Sequence, residues 1–131
     1  RRAWMRFLGR FHDLHLEPPV RALYNELAPS TRNRDVVRAR AAQVVDKLGL
    51  LEGFLDAHGP FSVTERPCLA DCAFPATLAI IDRLAPALGF AAGFGARIVR
   101  TRAAIAAEAG FAAVLDPYQR DIDAWIADRT R

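Results

Sequence analysis

The longest apolar segment of the chain runs from Leu69 to Leu88 and contains few polar side chains: Asp71, Thr77, Asp82 and Arg83. A helix that is apolar nearly all round has no face to present to water. The pattern therefore predicts a buried helix over about residues 68–88, placed at the centre of the domain. We expect the other helices to pack around it.

The start of this helix carries a capping signal. Cys68 lies where an N-cap residue belongs, and Asp71 follows three residues later. In a capping box the later side chain reaches back to the N-cap backbone N–H, and a carboxylate there suits the positive end of the helix dipole. We interpret Cys68 and Asp71 as a structural N-cap box, and not as a catalytic acid with a neighbouring thiol. Inside the helix, Pro75 must kink it or leave the Asp71 carbonyl without its usual partner.

The first part of the chain predicts a helix from about Arg1 to Leu16. Pro18 and Pro19 interrupt it, because proline lacks a backbone donor and disfavours helix just before it. The helix then resumes over residues 20–27, which gives one long kinked element. The apolar stripe that we expect to face the core consists of Trp4, Phe7, Leu8, Phe11 and Leu14.

Three further helices are predicted, over about residues 32–57, 96–109 and 111–129. Ser30 or Thr31 is the expected cap of the first, where Gly49 and Gly53 let a neighbour approach closely. Pro86 bends or ends the central helix, and Pro117 divides the last helix into two short pieces. No segment alternates apolar and polar residues as a strand does, so the fold class is an all-α helical bundle.

Composition supports one domain over residues 1–131. Of the 131 residues, 52% are hydrophobic and 25% are charged, which is typical of a chain with a proper core. Charged residues and a proline break the longest apolar run, so we expect no membrane span. The net charge is +3 with dispersed arginines, and we expect no nucleic-acid partner. Cys68 and Cys72 share one side of a helix, which indicates reduced, buried and inert thiols in a cytoplasmic protein.

A metal site is considered at His12, Asp13 and His15. The two histidines are spaced i, i+3, which places them on one helix face. The only other histidine is His58, and the sequence suggests no third ligand. We therefore expect no metal.

The capped helix Cys68-Leu69-Ala70-Asp71 resembles the central helix of the all-helical C-terminal domain of cytosolic glutathione transferases of the bacterial type. That family prefers Ser or Thr where this chain has Cys68. The resemblance covers nearly the whole chain in the same order. The other residues that carry the resemblance are Trp4, Phe7, Gly9 and Pro18-Pro19 in the first helix, Leu48, Leu51, Leu55 and Phe61 in and after the second helix, and Pro117, Tyr118 and Trp125 in the last helix.

The resemblance implies a parent protein that conjugates glutathione, its co-substrate, to a small hydrophobic electrophile. In the family a thioredoxin-like N-terminal domain binds glutathione and carries the activating Tyr, Ser or Cys. That domain is absent from this chain, which begins at Arg1 and has Met5 as its only methionine. We therefore expect the chain to be a piece of a longer protein, inactive alone and with no catalytic residue of its own. It would supply the electrophile-binding wall and part of a homodimer surface.

The residues that the resemblance places at the substrate pocket lie on the second face of the first helix: Met5, Gly9, His12, Asp13 and Leu16. His12 is the nearest candidate to approach the glutathione sulfur. The alternative to a role in a transferase is a non-catalytic interaction module that keeps this bundle. An unrelated arginine-rich helical regulator that binds DNA is a weaker possibility, which a steep fall of DNA affinity with salt would support.

Overall fold

The computed structural model describes residues 1–131 as helices joined by short connections, with no strand. The helices are α1 (Arg2–Phe11), α2 (Glu17–Ala22), α3 (Arg34–Phe54), α4 (Leu69–Leu88), α5 (Ala96–Ala107) and α6 (Ala109–Arg129). A π-helical turn (His12–Leu16) joins α1 to α2, and a 3-10 turn (Tyr24–Glu26) follows α2. The prediction of an all-α bundle is confirmed. None of these helices combines the length and the apolar character that crossing a membrane requires.

Helix α4 is the buried centre of the bundle, as predicted. It contacts α1, α2, α5 and α6, and most of its side chains are removed from solvent. Its buried residues are Ala70, Asp71, Phe74, Pro75, Thr77, Leu78, Ala79, Ile80, Ile81, Leu84, Ala85 and Leu88. Because water reaches so little of its surface, this helix holds the other elements in place through apolar burial.

The end of α4 is set by a glycine. Gly89 has a φ of +76°, a left-handed conformation that suits a residue without Cβ. The amide of Phe90 donates to the carbonyl of Ala85 at 2.9 Å, and that of Gly89 to Pro86 at 3.3 Å, which is the Schellman pattern. Pro86 lies in the last turn and the helix ends two residues later, at Leu88.

The predicted orientation of the first helix is wrong. Leu8 and Phe11 are buried, but Trp4 is 40% exposed, Phe7 38% and Leu14 60%. Trp4, Phe7 and Phe11 instead pack on one ring, that of Phe54 at the end of α3, with centroids 6.0, 5.0 and 5.2 Å away. The π-helical turn is the physical reason at Leu14, because its wider turn shifts the phase of residues counted at 3.6 per turn.

The π-helical turn also explains why Pro18 and Pro19 do not interrupt the helical element. The chain passes from α1 through the π-helical turn into α2, and both prolines lie in the first turn of α2. Proline is tolerated there because the first helical N–H groups need no intrahelical acceptor. The long kinked element is therefore an α–π–α succession.

Three details of the other helices differ from the predictions. The N-cap of α3 is Asn33, and not Ser30 or Thr31: its Oδ1 accepts from the amides of Asp35 at 3.0 Å and Val36 at 3.3 Å. A Cβ built on Gly49 or Gly53 meets nothing within 4 Å, so no neighbour approaches there. Pro117 does not divide α6; it is exposed, and water can satisfy the carbonyl that it leaves free.

Helices α3 and α5 cap each other. The carboxylate of Glu52 accepts from the backbone N–H of Arg97 at 2.8 Å and of Ile98 at 3.0 Å, at the start of α5. In return, the Arg97 guanidinium donates to the Leu55 carbonyl at 3.1 Å, beyond the end of α3. A Cβ on Gly95 would lie 2.2 Å from the Glu52 carboxyl carbon, so a larger residue there would have to displace this carboxylate from the start of α5.

Candidate functional site

The carboxylate of Asp71 is fully buried and holds two backbone amides. Its Oδ2 accepts from the N–H of Cys68 and its Oδ1 from the N–H of Ser62, both at 2.8 Å. The first bond is the far half of a capping box, and the second ties the loop before α4 to the helix. The sequence contains the spacing to Cys68 but no signal for the contact with Ser62, which is nine residues away.

The thiols differ from the prediction of buried cysteines. Both are free, Cys68 is half-buried and Cys72 is exposed. The Cys68 sulfur faces the Asp71 backbone in the position of a cap oxygen, without an ordinary side-chain cap bond, as expected of a weak acceptor. Burial, and then the neighbouring Asp71, raise the pKa of the Cys68 thiol. Cys68 is thus poorly suited to act as a thiolate nucleophile.

The imidazole of His12 joins the π-helical turn to the central helix. Its Nε2 lies 2.7 Å from Thr77 Oγ1 and its Nδ1 lies 2.8 Å from Asp13 Oδ1. The ring also meets Phe74 edge to face, with centroids 5.5 Å apart. A π-helical turn often marks a functional position, and here it aims a histidine into the core.

The order carboxylate, imidazole, hydroxyl is that of a hydrolase triad. In this molecule His12 is 7% exposed and Thr77 8%, and neither lines the larger cavities. A substrate therefore has no route to the Thr77 hydroxyl. We interpret the arrangement as a buried polar link between the π-helical turn and α4, whose groups are paired as burial requires.

The five residues expected at the substrate pocket fall into two groups. Met5 and Gly9 line an open groove on α1, together with Arg2, Arg6 and Leu69. A Cβ on Gly9 would meet nothing within 4 Å, so the space above this residue is open. The other three do not join this groove: His12 and Leu16 are buried in the core, and Asp13 is exposed.

The structure brings together three possible metal ligands, His12, Asp13 and Glu17, with atoms within 4.8 Å of one another. Sequence reasoning considered His15 and missed Glu17, because the π-helical turn changes which residues are neighbours. Both nitrogens of His12 have hydrogen-bond partners, and Glu17 is 3.4 Å from Arg21. The cluster is therefore satisfied without a metal.

The chain also contains a cavity that the sequence did not indicate, of about 270 Å³, between α3, α4, α5 and α6. Residues from these four helices and from the loop that contains Ser62 line it, and no local pattern in the sequence indicates such a gap.

Comparison with known proteins adds no assignment: no protein-family model, curated protein or solved structure matches the chain.

Proposed function

We propose that the chain is the electrophile-binding helical domain of a protein resembling a bacterial cytosolic glutathione transferase. The observation that carries the proposal is the Asp71 carboxylate at the start of a buried central helix, with the Cys68 amide 2.8 Å from one of its oxygens. The order of helices around α4 supports the same interpretation. A cytoplasmic homodimer belongs to this proposal.

In the proposed parent reaction, the glutathione thiolate attacks an electrophilic carbon and forms a C–S bond while a leaving group such as chloride departs. A thioredoxin-like domain would bind glutathione and stabilise its thiolate. This chain would contribute the wall that receives the electrophile. The groove beside Met5 and Gly9 is open to solvent and has room for a small apolar group.

The test is glutathione conjugation to 1-chloro-2,4-dinitrobenzene, comparing this chain with the gene product that includes the region upstream of Arg1. We expect turnover only with that region. In the longer protein, Gly9→Leu should raise KM for the electrophile several-fold and leave KM for glutathione unchanged, because the leucine side chain occupies part of the groove. Gly49→Leu, at an exposed position of α3, is the matched control and should change neither.

Substantial turnover by this chain alone would contradict the division of labour between the two domains. A folded longer protein without any conjugation would contradict the transferase proposal itself. An upstream segment of about 80 residues with a cis-proline motif and an activating Tyr, Ser or Cys would support it, since a small thioredoxin-like domain has about that size.

A second candidate is a non-catalytic interaction module built on the same bundle. The observation in its favour is the aromatic surface formed by Trp4, Phe7 and Phe54, in which the first two side chains are 40% and 38% exposed. Large aromatic side chains that remain exposed are common at protein interfaces. An upstream region without a thioredoxin-like segment would favour this candidate.

A further inference from the structure

The cavity between α3, α4, α5 and α6 has the character of a small-molecule site. Its volume is about 270 Å³, and its walls are mainly aliphatic and aromatic: Leu51, Leu55, Phe74, Leu78, Ile98 and Ile105. Exposed side chains on its rim, such as Val99 and Ala103, belong to α5. Pockets of mostly apolar lining with a few polar groups are typical of ligand sites.

Two residues in the wall of this cavity carry buried hydroxyl groups that have no hydrogen-bond partner and almost no exposed surface. Ser62 is fully buried and Thr101 is 5% exposed. Neither Ser62 Oγ nor Thr101 Oγ1 has a hydrogen-bond partner. Both residues line the cavity. An unpaired buried hydroxyl is costly, and most buried polar side chains in native proteins are paired. Two such groups in the wall of one cavity indicate that something polar completes them.

The charged and amide groups of the lining are already engaged. The Arg102 guanidinium forms an ion pair with Asp82 and lies 4.9 Å from the centroid of Phe94. The side-chain oxygen of Gln119 accepts from Arg83 at 3.1 Å. No free charge is therefore left to neutralise an ionic ligand, and the ligand should be neutral.

Size gives a second limit. An apolar cavity of about 150 Å³ holds one benzene molecule. A cavity of 270 Å³ thus has room for about ten to twelve non-hydrogen atoms on the same scale. That is a bicyclic ring system or a ring with a short substituent.

We propose that this cavity binds a neutral, largely apolar molecule of one or two rings whose polar group hydrogen-bonds to the hydroxyl of Ser62 or of Thr101 once that side chain turns towards the cavity. The site lies among α3 to α6, apart from the α1 groove of the proposed function. The proposal does not depend on glutathione chemistry, so either can fail without the other.

The test uses this chain with 2-naphthol as the probe, followed by NMR titration and calorimetry. Naphthalene is the apolar control and 2-naphthoate the charged control. We expect a Kd for naphthol of about 0.1–1 mM, given the modest efficiency of ligands of this size. The changes in NMR chemical shift should be largest at the amide of Ser62 and at the methyl groups of Thr101, Leu78 and Ile105. Naphthoate should bind at least tenfold more weakly.

Matched variants test whether the two hydroxyl groups are responsible for the binding of naphthol. Thr101→Val keeps the shape of the side chain and removes its hydroxyl, and Ser62→Ala removes the other hydroxyl. At least one of these two variants should weaken naphthol binding about five- to tenfold without changing naphthalene binding. Thr130→Val removes a hydroxyl at the end of α6, outside the cavity, and should have no effect. Ala79→Leu should abolish binding by filling the space.

The proposal would be overturned if 1 mM naphthol caused no chemical-shift changes at Ser62, Thr101, Leu78 and Ile105. It would also be overturned by binding that Thr101→Val and Ser62→Ala both leave unchanged, because the hydroxyl groups would then be satisfied by water alone. If Ala79→Leu does not fold, the Thr101→Val, Ser62→Ala and Thr130→Val variants decide by themselves.

Discussion

At the scale of single residues, Asp71 is the side chain on which the start of α4 depends. A buried carboxylate that accepts two backbone amides at 2.8 Å makes charge-assisted hydrogen bonds, which are roughly twice as strong as neutral ones. The bond to Cys68 could be predicted from the three-residue spacing. The bond to Ser62 could not, because it depends on how the preceding loop folds back.

The Cys68 side chain is the weak part of this cap. Serine in its place would offer an oxygen acceptor to the Asp71 amide, so we expect Cys68→Ser to raise the free energy of unfolding by up to about 1 kcal/mol. Urea denaturation monitored by circular dichroism measures the change. Cys72→Ser, at an exposed position of the same helix, is the control and should stay within about 0.5 kcal/mol of the parent. A clearly less stable Cys68→Ser protein would count against this role of residue 68.

His12 shows the limit of prediction for one residue. Its position in the π-helical turn, on the same inner side as Leu8 and Leu16, can be recognised only once the phase of the helix is known. Its partner Thr77 is 65 residues away, and both appear in the sequence as isolated polar residues in apolar surroundings. A polar pair across two helices has no signature in either helix alone.

At the scale of elements, the apolar pattern correctly predicts the burial of α4 but does not predict the orientation of α1. Helix α4 is apolar on all sides, so its burial does not depend on the phase of the pattern. Helix α1 has two apolar faces, and the aromatic one packs on the rim beside Phe54 while the other enters the core. The π-helical turn then changes the phase, and nothing local in the sequence distinguishes it from a kink at Pro18.

The glycines of the bundle offer a paired test of element ends. Gly89→Ala places a side chain at a φ of +76°, which should lower the free energy of unfolding by about 1–2 kcal/mol. Gly49→Ala lies at an exposed position of α3 with nothing within 4 Å of the new Cβ, so it should raise that free energy by about 0.5–1 kcal/mol. Urea denaturation of both variants is the measurement. If both variants changed the free energy of unfolding in the same direction, the assigned end of α4 would be contradicted.

At the scale of the whole molecule, the contacts that determine the arrangement are made by residues far apart in the chain. Glu52 caps α5 from 45 and 46 residues away, and its carboxylate lies where a Cβ of residue 95 would be. The cavity among α3 to α6 likewise arises from four helices and one loop that do not fill the space between them. The sequence predicts the elements that take part but not these pairings, because side-chain charge and size alone do not specify a partner.

The central claim is that α4 is a buried core helix whose start is held by Asp71. Amide hydrogen exchange followed by NMR tests it most directly, because protection reports burial and hydrogen bonding residue by residue. We expect the slowest exchange between Leu78 and Leu84, and strong protection of the Cys68 and Ser62 amides, although both lie outside the helical ladder. Exchange of these two amides at the rate of an unfolded peptide, or faster exchange in the middle of α4 than in α6, would contradict the account.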